Sequence, residues 1–424
     1  MIYVIFVVGL LIGMPIAIAI VGTLLVFMAM NDAPYTIRVV ATEMFRGLNS
    51  FPLLAIPLFV LAGEVMNESG ITGRIIAFAN VLVGRLRAGL ALVNIWASVI
   101  FAGLSGSAIA DTSAIGRVFI PEMEKHGYNR AFAAAITAAS SVIGPIIPPS
   151  IPVIIYALIV SGVSVPALFL AGIVPGVLLA IFLSAYVMAT VKIEDRGGES
   201  ELLRQPPAKA FLDGLLPLMM PVFVVGSILL GVVTPTEAAS FAVAYALFLG
   251  IFVYHKITIK SLPRIFAGAM KDSSVIMIIM AAVGAANWLL TYNRVPNILT
   301  DWVLSNVDGK VAFLIAVNLL FLFVGLFLEG IAAMLVLVPI LHPIAVSLGV
   351  DPTHFGIVVI FNLMIGLITP PLGLCLFVAE AIAGVGMAKL TRAVLPLFLV
   401  EVVVLFIITF VPDVVIALPR YFGY

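Results

Sequence analysis

Long apolar runs recur along the whole chain, separated by short clusters of charged, Gly and Pro residues. Examples are 273–292, 311–328 and 393–411. A bilayer core of roughly 30 Å takes about 20 apolar residues at a rise of about 1.5 Å each, so such runs predict membrane-crossing helices. Strands of a membrane barrel would alternate polar and apolar instead of running continuously. The pattern therefore predicts an all-α polytopic membrane protein, with crossings at 129–162, 166–191, 214–232, 234–254 and 273–292. The apolar start 1–20 lacks a basic leader and a clear small-residue cleavage site, and reads as a first membrane helix.

Two runs do not fit as single crossings. Residues 93–116 have a small, polar, Gly-rich centre with basic residues at both ends, which predicts a re-entrant helix-break-helix hairpin. Residues 311–341 break similarly at "GLFLEG", but their far end has no base, so this second hairpin is expected to enter from the other side. Two further runs carry a Gly and a Pro-Pro pair inside apolar sequence: "IGPIIPPSIP" at 143–152 and "IGLITPPLGL" at 365–374. Pro removes a backbone donor and clashes with the preceding turn, so broken helices are expected over 129–162 and 354–386. The most polar stretch, 192–213, reads as a linker between two halves.

Composition sharpens this picture. Of 424 residues, 63% are hydrophobic and only 10% charged. A soluble domain carries about a quarter charged residues, so this chain cannot cover a water-facing surface. The 21 bases and 21 acids cancel, which leaves no bulk electrostatic case for nucleic acid. A single cysteine, Cys375, excludes an internal disulfide and reads as a small buried hydrophobe. Lys and Arg accumulate on the cytoplasmic side of membrane proteins. They crowd 85–130, 192–209 and 256–271, whereas 341–355 has none, which puts the first three inside and the last outside.

Sliding the chain on itself by 222 positions aligns 101–163 with 323–385 at 15 identical pairs of 63. Seven of those pairs are Gly or Pro, among them Gly144/Gly366, Pro148/Pro370 and Pro149/Pro371, which hydropathy does not demand. The charge rule puts Pro121 inside and Pro343 outside, so the copies have opposite topology, an inverted repeat of 1–191 and 214–424. Broken helices survive in lipid only where they line a polar cavity. There, carbonyls and half-helix C-termini suit a cation and half-helix N-termini suit an anion.

The polar residues at these places are the candidates. Ser105, Ser107, Asp111, Thr112 and Ser113 form the first tip, where hydroxyls suit both a carboxylate ligand and a cation such as sodium. Thr112 and Ser113 read equally well as helix packing. Asp111 is a buried-carboxylate candidate or, alternatively, a helix N-cap. Glu329 lies between apolar arms and could ligate a cation, carry a proton, donate to substrate or pair with an Arg. Ser150 and Thr369 flank the Pro-Pro breaks. Glu64, Glu237, Glu380 and Glu401 read as helix-packing or coupling residues, and His126, His255, His342 and His354 as interfacial anchors.

Together "FAGLSGSAIADTSAIG", "GPIIPPS", "GVVTPTEAA", "GLFLEGIAAMLVLVPILHPIA" and "GLITPPLGL" resemble the large membrane subunit of tripartite ATP-independent periplasmic (TRAP) transporters, DctM-like, in the family's order. The resemblance implies an ion-transporter-superfamily fold of elevator type in the bacterial inner membrane. It implies coupling to two or more sodium ions, a small membrane subunit (DctQ-like), and a soluble periplasmic binding protein (DctP-like) that delivers an organic acid. Carried over by position, Ser105 and Ser107 resemble substrate and sodium contacts, and Ser150, Glu329 and Gly330 substrate-facing positions. Asp111, Gly144 and Pro145 resemble one sodium site; Gly325, Gly366, Thr369 and Pro370 resemble another. Sialic-acid members tend to carry Asp at the second tip, where this chain has "LEG".

Rival classes are weaker. No GxxxxGK[ST] loop supports an ATP-driven pump. Gly103-Leu104-Ser105-Gly106 matches the GxSG of intramembrane serine proteases, which also need a histidine within reach of the serine. A passive channel would seldom carry an inverted repeat with one carboxylate per hairpin.

Overall fold

The computed structural model describes residues 6, 8–9, 12–30, 37–191, 206–307, 309–326, 328–370 and 373–424, and all the regular structure among them is helical. The first four α-helices are α1 Ile16–Met30, α2 Ile37–Leu48, α3 Ala55–Glu68 and α4 Ile71–Val83. Then come α5 Gly89–Ser105, α6 Ala108–Lys125, α7 Arg130–Ser141, α8 Ile151–Ile159 and α9 Val165–Thr190. The second half opens with α10 Pro207–Leu229, α11 Pro235–Phe248, α12 Leu262–Tyr292 and α13 Val295–Asn306. It continues with α14 Gly309–Val324, α15 Gly330–Ser347, α16 Pro352–Gly366 and α17 Leu374–Ala383, and closes with α18 Met387–Phe410 and α19 Asp413–Tyr421. Among the described residues, seven helices are long and apolar enough to cross a membrane, the longest spanning Leu262–Tyr292.

Several boundaries differ from the sequence expectation. The first helix pair runs from Gly89 to Lys125, beyond 93–116, because the helix continues past the small residues into a charged turn where Lys125 pairs with Glu122 at 3.4 Å. The second pair extends to Ser347, past 341, with Pro339 and Pro343 accommodated inside α15. The last residues of the expected linker 192–213 are helical, since α10 starts at Pro207, whose fixed φ suits a first helical position. Residues 192–205 of that linker, residues 1–5, 7, 10 and 11 of the expected helix at 1–20, and Pro371 lie outside the described residues; residues 12–15 of that expected helix are not helical, and α1 starts at Ile16.

Helix starts repeat with the sequence. Ala108 and Gly330, Arg130 and Pro352, and Val165 and Met387 each open a helix 222 positions apart. At the breaks the backbone tightens into turns of one residue fewer. Gly144 N–H donates to Ser141 O at 3.1 Å, and Thr369 N–H donates to Gly366 O at 3.2 Å. Such bonds satisfy part of the backbone that an interrupted helix leaves open.

Packing cuts across the two sequence halves. Helices α1–α4 pack with α10–α12, while α5–α9 pack with α14–α18. In the first group α2 and α12 cross at backbone contact, where Gly47 faces Gly284. A Cβ on Gly284 would stand 2.9 Å from both the Glu43 carbonyl oxygen and Gly47 Cα. In lipid, small residues are what allow so close an approach. Gly284→Leu should therefore push α2 off α12 and cost about 1–3 kcal/mol, seen as a lower melting temperature in detergent. An unchanged melting curve would show that the crossing carries no such weight.

Candidate functional site

The first tip is built by local capping. α5 ends at Ser105, Gly106 follows at φ 60, and Ser107 caps α6 by accepting from Ala110 N–H at 3.4 Å. The left-handed turn at Gly106 is one that a residue with Cβ adopts reluctantly. Ser105 Oγ donates to Asp111 Oδ1 and accepts from Ser107 N–H at 3.2 Å. Asp111 is therefore not the N-cap; it sits one turn inside α6, fully buried. Its other oxygen, Oδ2, has no hydrogen-bond partner among the described residues. A Cβ on Gly144 would collide with that Oδ2, so the carboxylate abuts the first helix break.

That break is fixed from behind. Ser150 caps α8 by accepting from Val153 N–H at 3.3 Å, and its hydroxyl donates to the Pro145 carbonyl. The tip and the break also touch, since a Cβ on Gly106 would lie 3.3 Å from the Pro149 carbonyl oxygen. From the other group of helices, Gly63 of α3 backs the Ser105 backbone.

The second tip follows the same plan with different chemistry. Glu329 stands 222 positions after Ser107 and, like it, is an N-cap: its carboxylate accepts from Ala332 N–H at 3.1 Å. No ion pair to Glu329 occurs among the described residues, so the Arg-pair reading fails there. Ala333 stands where the first copy has Asp111. Gly325 and Gly366 pack backbone to backbone, and a Cβ on Gly366 would lie 3.0 Å from Gly325 Cα. Thr369 Oγ1 donates to the Ile365 carbonyl at 2.8 Å, leaving its lone pairs open.

Both tips open on one cavity of about 970 Å³. Ser105, Ser107, Ser113, Pro145 and Glu329 line it, so the structure brings together hairpin and break residues from both halves. Ser150, Gly330, Asp111, Gly144, Gly325, Gly366 and Thr369 are not in its wall but lie in the layer behind, in or beside the tips and breaks. Ser150 departs from the expected substrate-facing role because its hydroxyl is committed to the Pro145 carbonyl. Thr112 donates to the Ala108 carbonyl at 2.8 Å, in line with helix packing.

The opposite wall was not foreseen. Glu64 and Asn67 of α3 and Asp272 of α12 face the same space. Asn67 sits at the end of α3, where a polar residue is ordinary, whereas Asp272 lies ten residues inside α12 next to Lys271, and the sequence carries no local signal that the chain folds either inward. Of the histidines, none lines the cavity: His126 Nδ1 sits 2.9 Å from the Glu122 carbonyl and His354 Nε2–H donates to the Ile408 carbonyl at 2.8 Å. Ser105 is thus bonded to a carboxylate with no histidine beside it, which removes the base that a serine protease requires.

Which residues can hold a cation follows from these atoms. Hard cations take oxygen ligands from carboxylates, carbonyls and hydroxyls. At the first tip an orphaned buried carboxylate oxygen lies beside Gly144 and the Pro145 turn, a donor set that fits. At the second, the Gly325–Gly366 approach leaves a backbone cradle that a Cβ would fill, with the Thr369 hydroxyl one turn on.

Broken helices and paired tips around a shared cavity define an all-α polytopic membrane transport subunit. The solved Alcanivorax borkumensis YdaH transporter, described as having an unusual topology, shares this fold: TM-score 0.63 at 15% identity, over 91% of this chain and 88% of that one. Residues 3–414 match the family described as "Tripartite ATP-independent periplasmic transporter, DctM component", and the chain belongs to that family. It is 40% identical over 415 residues to the sialic acid TRAP transporter large permease protein SiaM of Vibrio cholerae serotype O1, covering 97% of this chain and 96% of the relative. It is 38% identical over 419 residues to the isethionate TRAP transporter permease protein DctMQ of Oleidesulfovibrio alaskensis, covering 98% of this chain and 64% of that longer relative. The chain is accordingly a non-enzymatic permease subunit of the bacterial inner membrane.

Water access separates the cavity wall from the layer behind it. With the single native cysteine buried, S107C should react with a hydrophilic maleimide in the detergent-solubilised protein, and S150C should not. Equal labelling of the two would contradict the wall described above.

Proposed function

We propose that this permease imports a small organic acid together with sodium, working with a small membrane subunit and a soluble periplasmic binding protein that delivers the acid. The fusion name DctMQ of one relative suits a permease that joins a second membrane component. The carrying observation is that both tips converge on one cavity and that a buried carboxylate oxygen without a partner stands just behind it.

Charge supports the coupling. The cavity wall presents Glu64, Asp272 and Glu329, and no Lys, Arg or His is among its described lining residues. An organic anion entering such a space alone meets like charge in a medium that screens poorly. Cations held at the tips reverse that sign. Asp111, the Gly144–Pro145 turn and Ser105 would hold one; Gly325, Gly366 and Thr369, with Pro370 in the same turn, would hold a second. The substrate carboxylate then meets the hydroxyls of Ser105 and Ser107 and the N-terminus of α6, where free N–H groups favour an anion. Glu329, at the N-terminus of α15, faces the remainder of the ligand and selects groups that donate hydrogen bonds.

The two helix groups suggest the movement. Helices α5–α9 and α14–α18 carry both tips and both breaks, and α1–α4 with α10–α12 form the group behind them. Sliding the first group as one body past the second, in the manner of an elevator, would present the cavity to each side of the membrane in turn. The inverted topology of the repeats would relate the two end states by a pseudo-two-fold axis in the membrane plane.

Purified complex should gain stability from sodium but not from potassium, by about 2.7 kcal/mol at a hundred times the sodium Kd. Asp111→Asn should abolish that gain; an undiminished gain would remove Asp111 from the ion site. In vesicles with all three components, organic acid should accumulate only under an inward sodium gradient. Uptake that continues with sodium absent on both sides would refute the coupling.

A further inference from the structure

One buried acid has no place in the tips, the breaks or the cavity. Glu401 lies on α18, nine residues before Phe410 and so roughly 13 Å from the end of that membrane-crossing helix. It is 0% exposed, and among the described residues neither Oε1 nor Oε2 has a hydrogen-bond partner. A carboxylate in that position would carry a full charge in an apolar core with nothing to answer it.

Its surroundings offer no counter-charge. Helices α7, α9, α16, α17 and α19 pack against α18, and Asn318 of α14, a helix whose only charged residue is the exposed Lys310, donates to Thr409 Oγ1 on α18 at 3.0 Å. On α7 the only charged residue is Arg130, which pairs with Glu124 at 2.6 Å and also donates to the Ile382 carbonyl at 3.4 Å. Helix α9 carries only Tyr186, and on α16 His354 is tied to the Ile408 carbonyl. On α17, Glu380 accepts from Gly386 N–H at 3.3 Å, and Cys375, a thiol that offers no positive charge, lies within electrostatic reach of Glu401. On α19, Arg420 pairs with Asp413 at 3.4 Å and Tyr421 is exposed. The bases of α18 itself, Lys389 and Arg392, are exposed near its start. Nor does a metal cluster stand in, since no group of three His, Cys, Asp or Glu side chains occurs among the described residues.

We propose that Glu401 is a proton-binding site: a carboxylic acid that holds one proton in the core of the tip-bearing helix group. Cation binding is the poorer fit, because a cation needs several oxygens and Glu401 supplies two with no third polar side chain bonded to it. Helix α18 packs against α7 and α16, the leading halves of both broken helices, so the proton sits where the two repeats meet. A proton there would travel with that group, independently of whether sodium is the ion at the tips.

The test reads the proton directly. Infrared spectra of the purified permease in deuterated neutral buffer should show a protonated-carboxyl stretch in wild type that is lost in E401Q. E401D, which keeps an acid, should move that band and not abolish it, so a poorly folding glutamine variant does not end the experiment. The melting temperature of wild type should also fall more than that of E401Q from neutral to alkaline pH, because deprotonation leaves a bare charge in the core. A wild-type spectrum without the band, a band unchanged in both variants, or parallel losses of stability would overturn the proton site.

Discussion

The controlling constraint is that lipid offers no hydrogen bonds to a backbone. Each N–H or carbonyl released from a helix inside the bilayer costs several kcal/mol unless the protein or trapped water answers it. Two Pro-containing breaks therefore cannot be scattered; they must be gathered where polar partners exist. The structure gathers them behind two capped tips. Ser150 answers the Pro145 carbonyl, Ser107 and Glu329 answer the N–H groups at the starts of α6 and α15, and Thr369 answers the Ile365 carbonyl. At the tips and breaks, the buried side-chain oxygen left without a partner among the described residues is Asp111 Oδ2, beside the first break. The ligand site is thus a by-product of making interrupted helices tolerable.

Duplication supplies the second break, and divergence then separates the roles of the copies. The two cap positions hold Ser107 and Glu329, and the positions one turn further on hold Asp111 and Ala333. A serine cap leaves room for a ligand hydroxyl or carboxylate, whereas a glutamate cap spends one acceptor on Ala332 N–H and keeps a carboxyl group at the cavity wall. One copy has its acid buried behind the tip, the other at its surface. The shared backbone plan thus carries two electrostatic environments, which is what an ion site and a substrate pocket require of neighbouring tips.

Much of this was legible in the sequence, for a definite reason. Hydropathy gave the helical membrane class, and Gly and Pro gave the breaks, because these residues act on the backbone locally and need no knowledge of neighbours. Ser105, Ser107 and Glu329 were legible because a polar residue between apolar arms has few other uses. Boundaries were not, since charged turns such as Glu122–Lys125 continue a helix that hydropathy had already ended. Asp111 read equally well as a cap, and only the Ser105 bond and the collision at Gly144 distinguish the two. Asn67 and Asp272 were beyond reach, because their place at the cavity depends on how α3 and α12 pack, a contact between residues some two hundred positions apart.

The buried or half-buried acids are best understood by what answers each of them. Glu329 is answered by a backbone N–H at a helix start, a partial positive charge that leaves the carboxylate usable. Asp111 is answered on one oxygen by Ser105 and, among the described residues, is open on the other, which is where the proposed cation would bind. Glu401 is answered on neither oxygen, and its demand is met by the smallest cation of all, which needs no coordination shell beyond the acid itself. Moving outward from core to cavity, the proposed compensation changes from proton to metal ion to protein dipole. That order follows the room available at each place, since a proton fits inside close packing, a hydrated ion must shed its water to reach a tip, and only the cavity admits a molecule.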